Sequence, residues 1–166
     1  HVLVEYFDYQ CAACREMASY LESLVAKHPA EIAVLLLPVP LEVSCNSYVS
    51  ESGKRPGSCE IARIALAVWR ANPNEFKGFH RTLSSEPSLD SARRLALELL
   101  GAERLKSSLS DPWIEERIRH NVLDWRALSK SIRNLPKLLV SDRRILHGLP
   151  SGEADFIRVM EQELGL

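Results

Sequence analysis

The chain has 166 residues, 46% apolar and 26% charged, with a formal net charge of −1. That length supports one domain with a sizeable core and leaves little room for a second. The near-neutral balance gives no electrostatic footing for nucleic acid or an anionic membrane surface, and no apolar run is long enough to span a bilayer.

Residues 2–7, Val-Leu-Val-Glu-Tyr-Phe, are apolar apart from Glu5, which predicts a central strand covered on both faces. From Cys11 the positions Cys14, Met17, Ala18, Leu21, Leu24 and Val25 recur at three- and four-residue spacing. That is one buried stripe of a helix, which Pro29 ends. Ile32 to Leu37 reads as a second buried strand, closed by Pro38 and Pro40. Strand, helix and strand with short connections make a βαβ unit, so the two strands should be parallel.

A Ser-, Gly- and Asn-rich stretch follows over 44–58, with Cys45 and Cys59 at its ends. From Cys59 to about Ile132 the pattern is helical, with helices expected near 59–71, 74–84, 90–100, 102–109 and 112–131. Asp90 and Asp111 stand where N-caps belong, and Pro112 at a first helical position. Residues 137–141 and 144–147 read as a hairpin joined by Asp142-Arg143, and 154–164 as a closing helix. The fold class expected is therefore α/β. A helical insertion of about 59–132 separates a βαβ half from a C-terminal ββα half, all within one domain over 1–166. The chain opens at His1 directly into strand-like sequence, as a mature or excised domain would after loss of a targeting segment.

Cys11 and Cys14 carry the chemistry. A C-x-x-C delivered by a strand to the head of a helix reads as a thioredoxin-like redox motif. Unpaired N–H groups and the positive end of the dipole at a helix start favour a thiolate, the form that attacks disulfides. Cys11 is the exposed candidate nucleophile, and Cys14, one turn in, is the candidate resolving thiol. Glu5 shares a strand face with Leu3 and Phe7, where burial should raise its pKa and fit it to exchange protons with Cys14. Other readings stay open at this point. The Cys11–Cys14 pair could be a weak structural staple, the four cysteines could hold zinc in a non-catalytic binding module, or Glu5 could pair with an arginine.

Cys45 and Cys59 bound a 15-residue segment, and a structural disulfide there contributes about 3 kcal/mol in the chain-entropy model. A second redox pair, relaying electrons for one fixed partner, is the rival. A disulfide of either kind points to an oxidising, extracytoplasmic compartment. The histidines lack metal-ligand spacing, and no metal or other cofactor is expected. Trp69, Trp113 and Trp125 lie on helical faces and are expected in the core.

Val4 to Cys14, Val-Glu-Tyr-Phe-Asp-Tyr-Gln-Cys-Ala-Ala-Cys, resembles the active-site strand and helix start of the DsbA-like branch of the thioredoxin fold. The family's buried acidic residue corresponds to Glu5, and Leu135-Pro136 before a strand is similar in position to its cis-proline. The resemblance implies protein dithiol–disulfide exchange in the periplasm or an equivalent compartment. It places Leu135 and Pro136, with Ala12 and Ala13, along the substrate-docking groove. Partners would be protein or peptide thiols and disulfides. Segment 44–70 also resembles soluble domains associated with vitamin K epoxide reductase-like membrane proteins, implying a membrane redox partner and a membrane tether. Where strongly oxidising relatives carry Pro-His between the cysteines, this chain has Ala12-Ala13. The Cys11 thiolate should therefore be less stabilised and the disulfide a weaker oxidant.

Overall fold

A computed structural model of the chain describes residues 1–50, 55–128, 131, 134–141 and 144–166. Strand β1 (Val2–Phe7) pairs in parallel with β2 (Ala33–Pro38) and antiparallel with β3 (Lys137–Ser141). Strand β4 (Arg144–His147) pairs antiparallel with β3, so the sheet order is β2-β1-β3-β4. Helix α1 (Ala12–Lys27) makes the crossover that parallel strands need. Helices α2 (Ser58–Ala71), α3 (Pro73–Ser85), α4 (Leu89–Leu100), α5 (Ala102–Leu109) and α6 (Pro112–Leu128) lie between β2 and β3, and α7 (Glu153–Leu164) closes the chain. The expected α/β architecture with an inserted helical block is what the chain adopts.

The sheet divides two cores. On one face Leu3, Leu138 and Val140 meet Met17, Leu21 and Leu24 of α1 and Phe156 and Met160 of α7. The larger core joins Tyr6 and Phe7 to Ile61, Ile64 and Val68 of α2, Leu83 of α3, and Ile118 and Trp125 of α6. Nine residues of α2 are buried. It is the central helix of the insertion, so its apolar face is wide, while Glu60, Arg63 and Arg70 stay on its open side and pair with Arg93, Glu115 and Asp111. Asn121 of α6 donates through Nδ2 to the Pro38 carbonyl at 3.1 Å, fastening the insertion to the end of β2.

Several expectations need correction. Strand β2 is not buried: it lies at the sheet edge, where Leu35 is 49% exposed. An apolar run alone does not distinguish a covered edge from an open one. Asp90 is not an N-cap but sits in the first turn of α4. Ser88 is the cap, its hydroxyl accepting from the Ser91 N–H at 3.0 Å. Asp111 does act as expected at the head of α6, accepting from the Trp113 N–H at 3.0 Å. Trp125 is fully buried, but Trp69 is exposed and stacks on Trp113, which is only partly buried, 5.6 Å between ring centroids. Helical periodicity near the insertion surface carries the two rings outward together. The Asp142-Arg143 connection and the last residues of the expected 112–131 and 59–132 spans lie outside the described residues.

Candidate active site

Strand β1 ends at Phe7, and the next residues turn the chain into α1. Asp8 is the hub of that turn. Its carbonyl accepts from the Cys11 N–H at 3.0 Å, and one carboxylate oxygen accepts from the Gln10 N–H at 2.7 Å. The other accepts from the Leu41 N–H at 2.6 Å and the Ser58 hydroxyl at 2.5 Å. The residue is 2% exposed, and these donors are what make a buried carboxylate tolerable there. No local pattern in the sequence singles out Asp8, because its partners Leu41 and Ser58 come from distant segments.

Cys11 is the N-cap of α1, in extended conformation, and no side-chain oxygen caps the helix. The first-turn N–H groups therefore face the Cys11 sulfur. The Cys14 thiol and the Cys14 N–H both hydrogen-bond to that sulfur. The Cys14 thiol contact is the largest influence lowering the Cys11 pKa to about 6, against the opposing effect of burial. The Cys14 N–H and the charge of Arg55 lower it further, while Asp8 raises it. Cys14 moves the other way: burial pushes its thiol well above the ordinary range, reinforced by the hydrogen bond and charge of Cys11. The pair is thus split into an ionisable sulfur at the helix end and a protonated one a turn deeper.

Cys11 is more covered than expected, at 5% exposed. The cause is the chain before β3: the Leu135–Pro136 peptide is cis, and the Cys11 sulfur lies 3.9 Å from the Leu135 carbonyl oxygen. Leu135 is therefore beside the sulfur, with Pro136 next to it in the chain. Pro136 is itself held by the Gly148 N–H, which donates to its carbonyl at 2.8 Å. Beneath it, Lys137 is buried, donating to the Trp125 carbonyl at 2.9 Å with its ammonium 5.0 Å from the indole centroid. Ala12 is exposed and Ala13 partly so, offering methyl groups to the surface around Cys11.

Glu5 lies between Leu36 of β2 and Leu138 of β3 in the sheet and is completely buried. Neither carboxylate oxygen has a hydrogen-bond partner among the described residues, so the arginine-paired alternative is not what forms. Burial, aided by the negative charge of Cys11, pushes Glu5 up to about 8. Glu5 in turn is among the groups raising Cys14. Nearby, the buried Tyr9 hydroxyl meets His80 Nδ1 at 3.0 Å, and burial holds His80 down to about 4, neutral near pH 7.

Cys45 and Cys59 are bonded to each other, with their Cα atoms 6.1 Å apart. They are thus not available to join Cys11 and Cys14 around a zinc ion. Ser44 donates to the Cys59 sulfur at 3.1 Å, and the Cys59 N–H donates to the Glu42 carboxylate at 2.8 Å. Among the described residues no helix is long and apolar enough to cross a membrane.

No family model and no curated protein matches the sequence. Solved structures do match. A periplasmic thioredoxin-like protein from Salmonella enterica serovar Typhimurium superposes with a TM-score of 0.75 at 26% identity, over 99% of this chain and 84% of the other. Proteus mirabilis ScsC in a compact conformation gives 0.73 at 23% identity, over 98% and 82%. The thiol-disulfide exchange protein alpha-DsbA2 from Wolbachia pipientis gives 0.76 at 18% identity, over 99% and 80%. The strand order, the helices between β2 and β3, the C-x-x-C at the head of α1 and these likenesses agree: this chain has a thioredoxin-like fold with an inserted helical block and is similar to a periplasmic thioredoxin-like protein.

Proposed function

We propose that the chain, acting as one domain, is a protein thiol–disulfide oxidoreductase in which Cys11 exchanges with substrate, Cys14 resolves and Glu5 carries the proton. The observation that supports it most strongly is the opposed tuning of two sulfurs one helical turn apart, beside the Leu135 carbonyl. In the reducing direction the Cys11 thiolate attacks a substrate disulfide, forming a mixed disulfide and releasing one substrate thiolate. Cys14 then loses its proton to Glu5 and attacks the Cys11 sulfur. The second substrate thiolate leaves, and Cys11–Cys14 holds the bond. Two electrons pass from the protein to the substrate. The oxidising direction runs the same steps in reverse, with Glu5 returning the proton. A carboxyl near 8 is suited to this because both of its protonation states are accessible near neutral pH.

Substrates are proteins or peptides in extended conformation, docking along Leu135, Pro136, Ala12 and Ala13 by main-chain pairing. The setting is extracytoplasmic, supported by the Cys45–Cys59 disulfide and by likeness to a periplasmic protein. A membrane redox protein is proposed to reset the pair, on the resemblance of segment 44–70. The test is a trap. Cys14→Ser should accumulate a mixed disulfide between Cys11 and a reporter peptide, and Cys11→Ser should not. Comparing insulin reduction with oxidative refolding of a reduced substrate then assigns the direction. A wild-type protein inactive in both assays, with Cys11 inert to alkylation, overturns the proposal.

A further inference from the structure

Ala12 and Ala13 place no charge between the cysteines, so any cation that favours the Cys11 thiolate beyond the Cys14 hydrogen bonds comes from elsewhere in the fold. The turn over 55–58 supplies one. The Ser58 N–H donates to the Arg55 carbonyl at 3.1 Å, and Gly57 takes φ +85°, a conformation that a side chain would strain. Two contacts then dock this turn on the residues just before Cys11. Gln10 Nε2 donates to the Pro56 carbonyl at 3.0 Å, and the Ser58 hydroxyl donates to Asp8 at 2.5 Å. The next residue, Cys59, is tied to Cys45.

We propose that Arg55, carried onto the active-site turn by the segment that Cys59 anchors, is a positioning residue for the exchange reaction. Its guanidinium favours the Cys11 thiolate from the loop side and replaces the cation absent from Ala12-Ala13. The other charged groups around Cys11 do not take this role. Asp8 opposes the thiolate, and the Glu5 carboxyl and Cys11 thiolate disfavour each other's charge. Arg15 of α1 is turned to the Tyr9 carbonyl at 3.4 Å, and His80 of α3 is partly buried and neutral near pH 7. Arg55 is partly exposed, so its charge acts through screened solvent and is sensitive to salt.

The inference rests on Cys11 being the nucleophile, and the experiment separates the two ideas. The rate of iodoacetamide alkylation at Cys11 is followed against pH at low ionic strength in reduced wild type, Arg55→Gln and Arg55→Lys, with the site mapped by mass spectrometry. Arg55→Gln should raise the midpoint by about 0.5 to 1 pH unit, a roughly three- to tenfold loss of thiolate on the acid side. Arg55→Lys should restore most of it. A reactive Cys11 whose midpoint ignores Arg55→Gln overturns the role of Arg55, as does a midpoint that Lys moves as far as Gln. A wild-type Cys11 inert at every pH overturns the nucleophile reading, and this inference falls with it.

Discussion

Ser58 and Asp8, fifty positions apart in sequence, share a buried hydrogen bond of 2.5 Å between hydroxyl and carboxylate. That bond joins the first turn of α2 to the turn that delivers Cys11, so the insertion and the redox motif are mechanically one unit. Replacing Asp8 tests the unit through two readouts. Asp8→Asn removes a charge that accepts from the Gln10 and Leu41 N–H groups and from Ser58. It should cost about 2 kcal/mol or more in urea unfolding, because buried donors lose a charged acceptor. The alkylation midpoint of Cys11 should fall in the same variant, because the Asp8 charge opposes the thiolate.

Glu5 makes an opposite kind of demand on stability. Its folded pKa, about 8, lies above the ordinary value of 4.5. Between those two values the folded protein holds a proton that the unfolded chain has released. Stability from this group therefore falls as pH rises from about 4.5 to 8. Glu5→Gln should raise the thermal midpoint of the reduced protein at pH 8 while changing it little at pH 4. The gain at pH 8 is on the order of several kcal/mol, since one pKa unit corresponds to about 1.4 kcal/mol. The same variant should slow the Cys14 step about ten- to a hundredfold, seen as longer-lived mixed disulfide in stopped-flow quenching.

Removing the second disulfide should separate fold from chemistry. The double replacement Cys45→Ala/Cys59→Ala should lose about 3 kcal/mol in denaturant unfolding under non-reducing conditions. It should retain disulfide exchange with a peptide substrate. Loss of exchange in a protein shown by circular dichroism to be folded would mean that the bridge takes part in turnover.

The reduction potential follows from the thiolate. Cys11 is drawn down to about 6, a weaker stabilisation than the roughly 3.5 of DsbA itself. A less stabilised reduced form makes a less oxidising disulfide. Equilibration with glutathione should place the couple more negative than about −120 mV. A potential at or above that figure would contradict the argument from the Ala12-Ala13 dipeptide.

Much of the framework was legible in the sequence because its signals are local. The run Val2–Phe7, the stripe from Cys14 to Val25 and the cysteine spacing each lie within one element. Their products, the parallel β1–β2 pair and Cys11 at a helix start, formed as expected. Contacts between distant segments were not legible. Asp8 and Arg55 become visible only when the turn over 55–58 docks beside β1, and no periodicity records that meeting. Exposure was hidden for a related reason. Leu35 and Trp69 sit in apolar patterns, but whether a neighbour covers them depends on strand order and helix placement. The cover on Cys11 likewise comes from Leu135, 124 positions away.

The two alanines between the cysteines leave the ground beside the reactive sulfur chemically plain. Between the cysteines an incoming polypeptide meets a pair of methyl groups, with the main chain at Leu135 beside the sulfur. Under the proposed function, such a surface would sort clients by conformation more than by residue identity: a cysteine on a slack, unfolded stretch would gain entry, and one locked in a finished fold would be passed over.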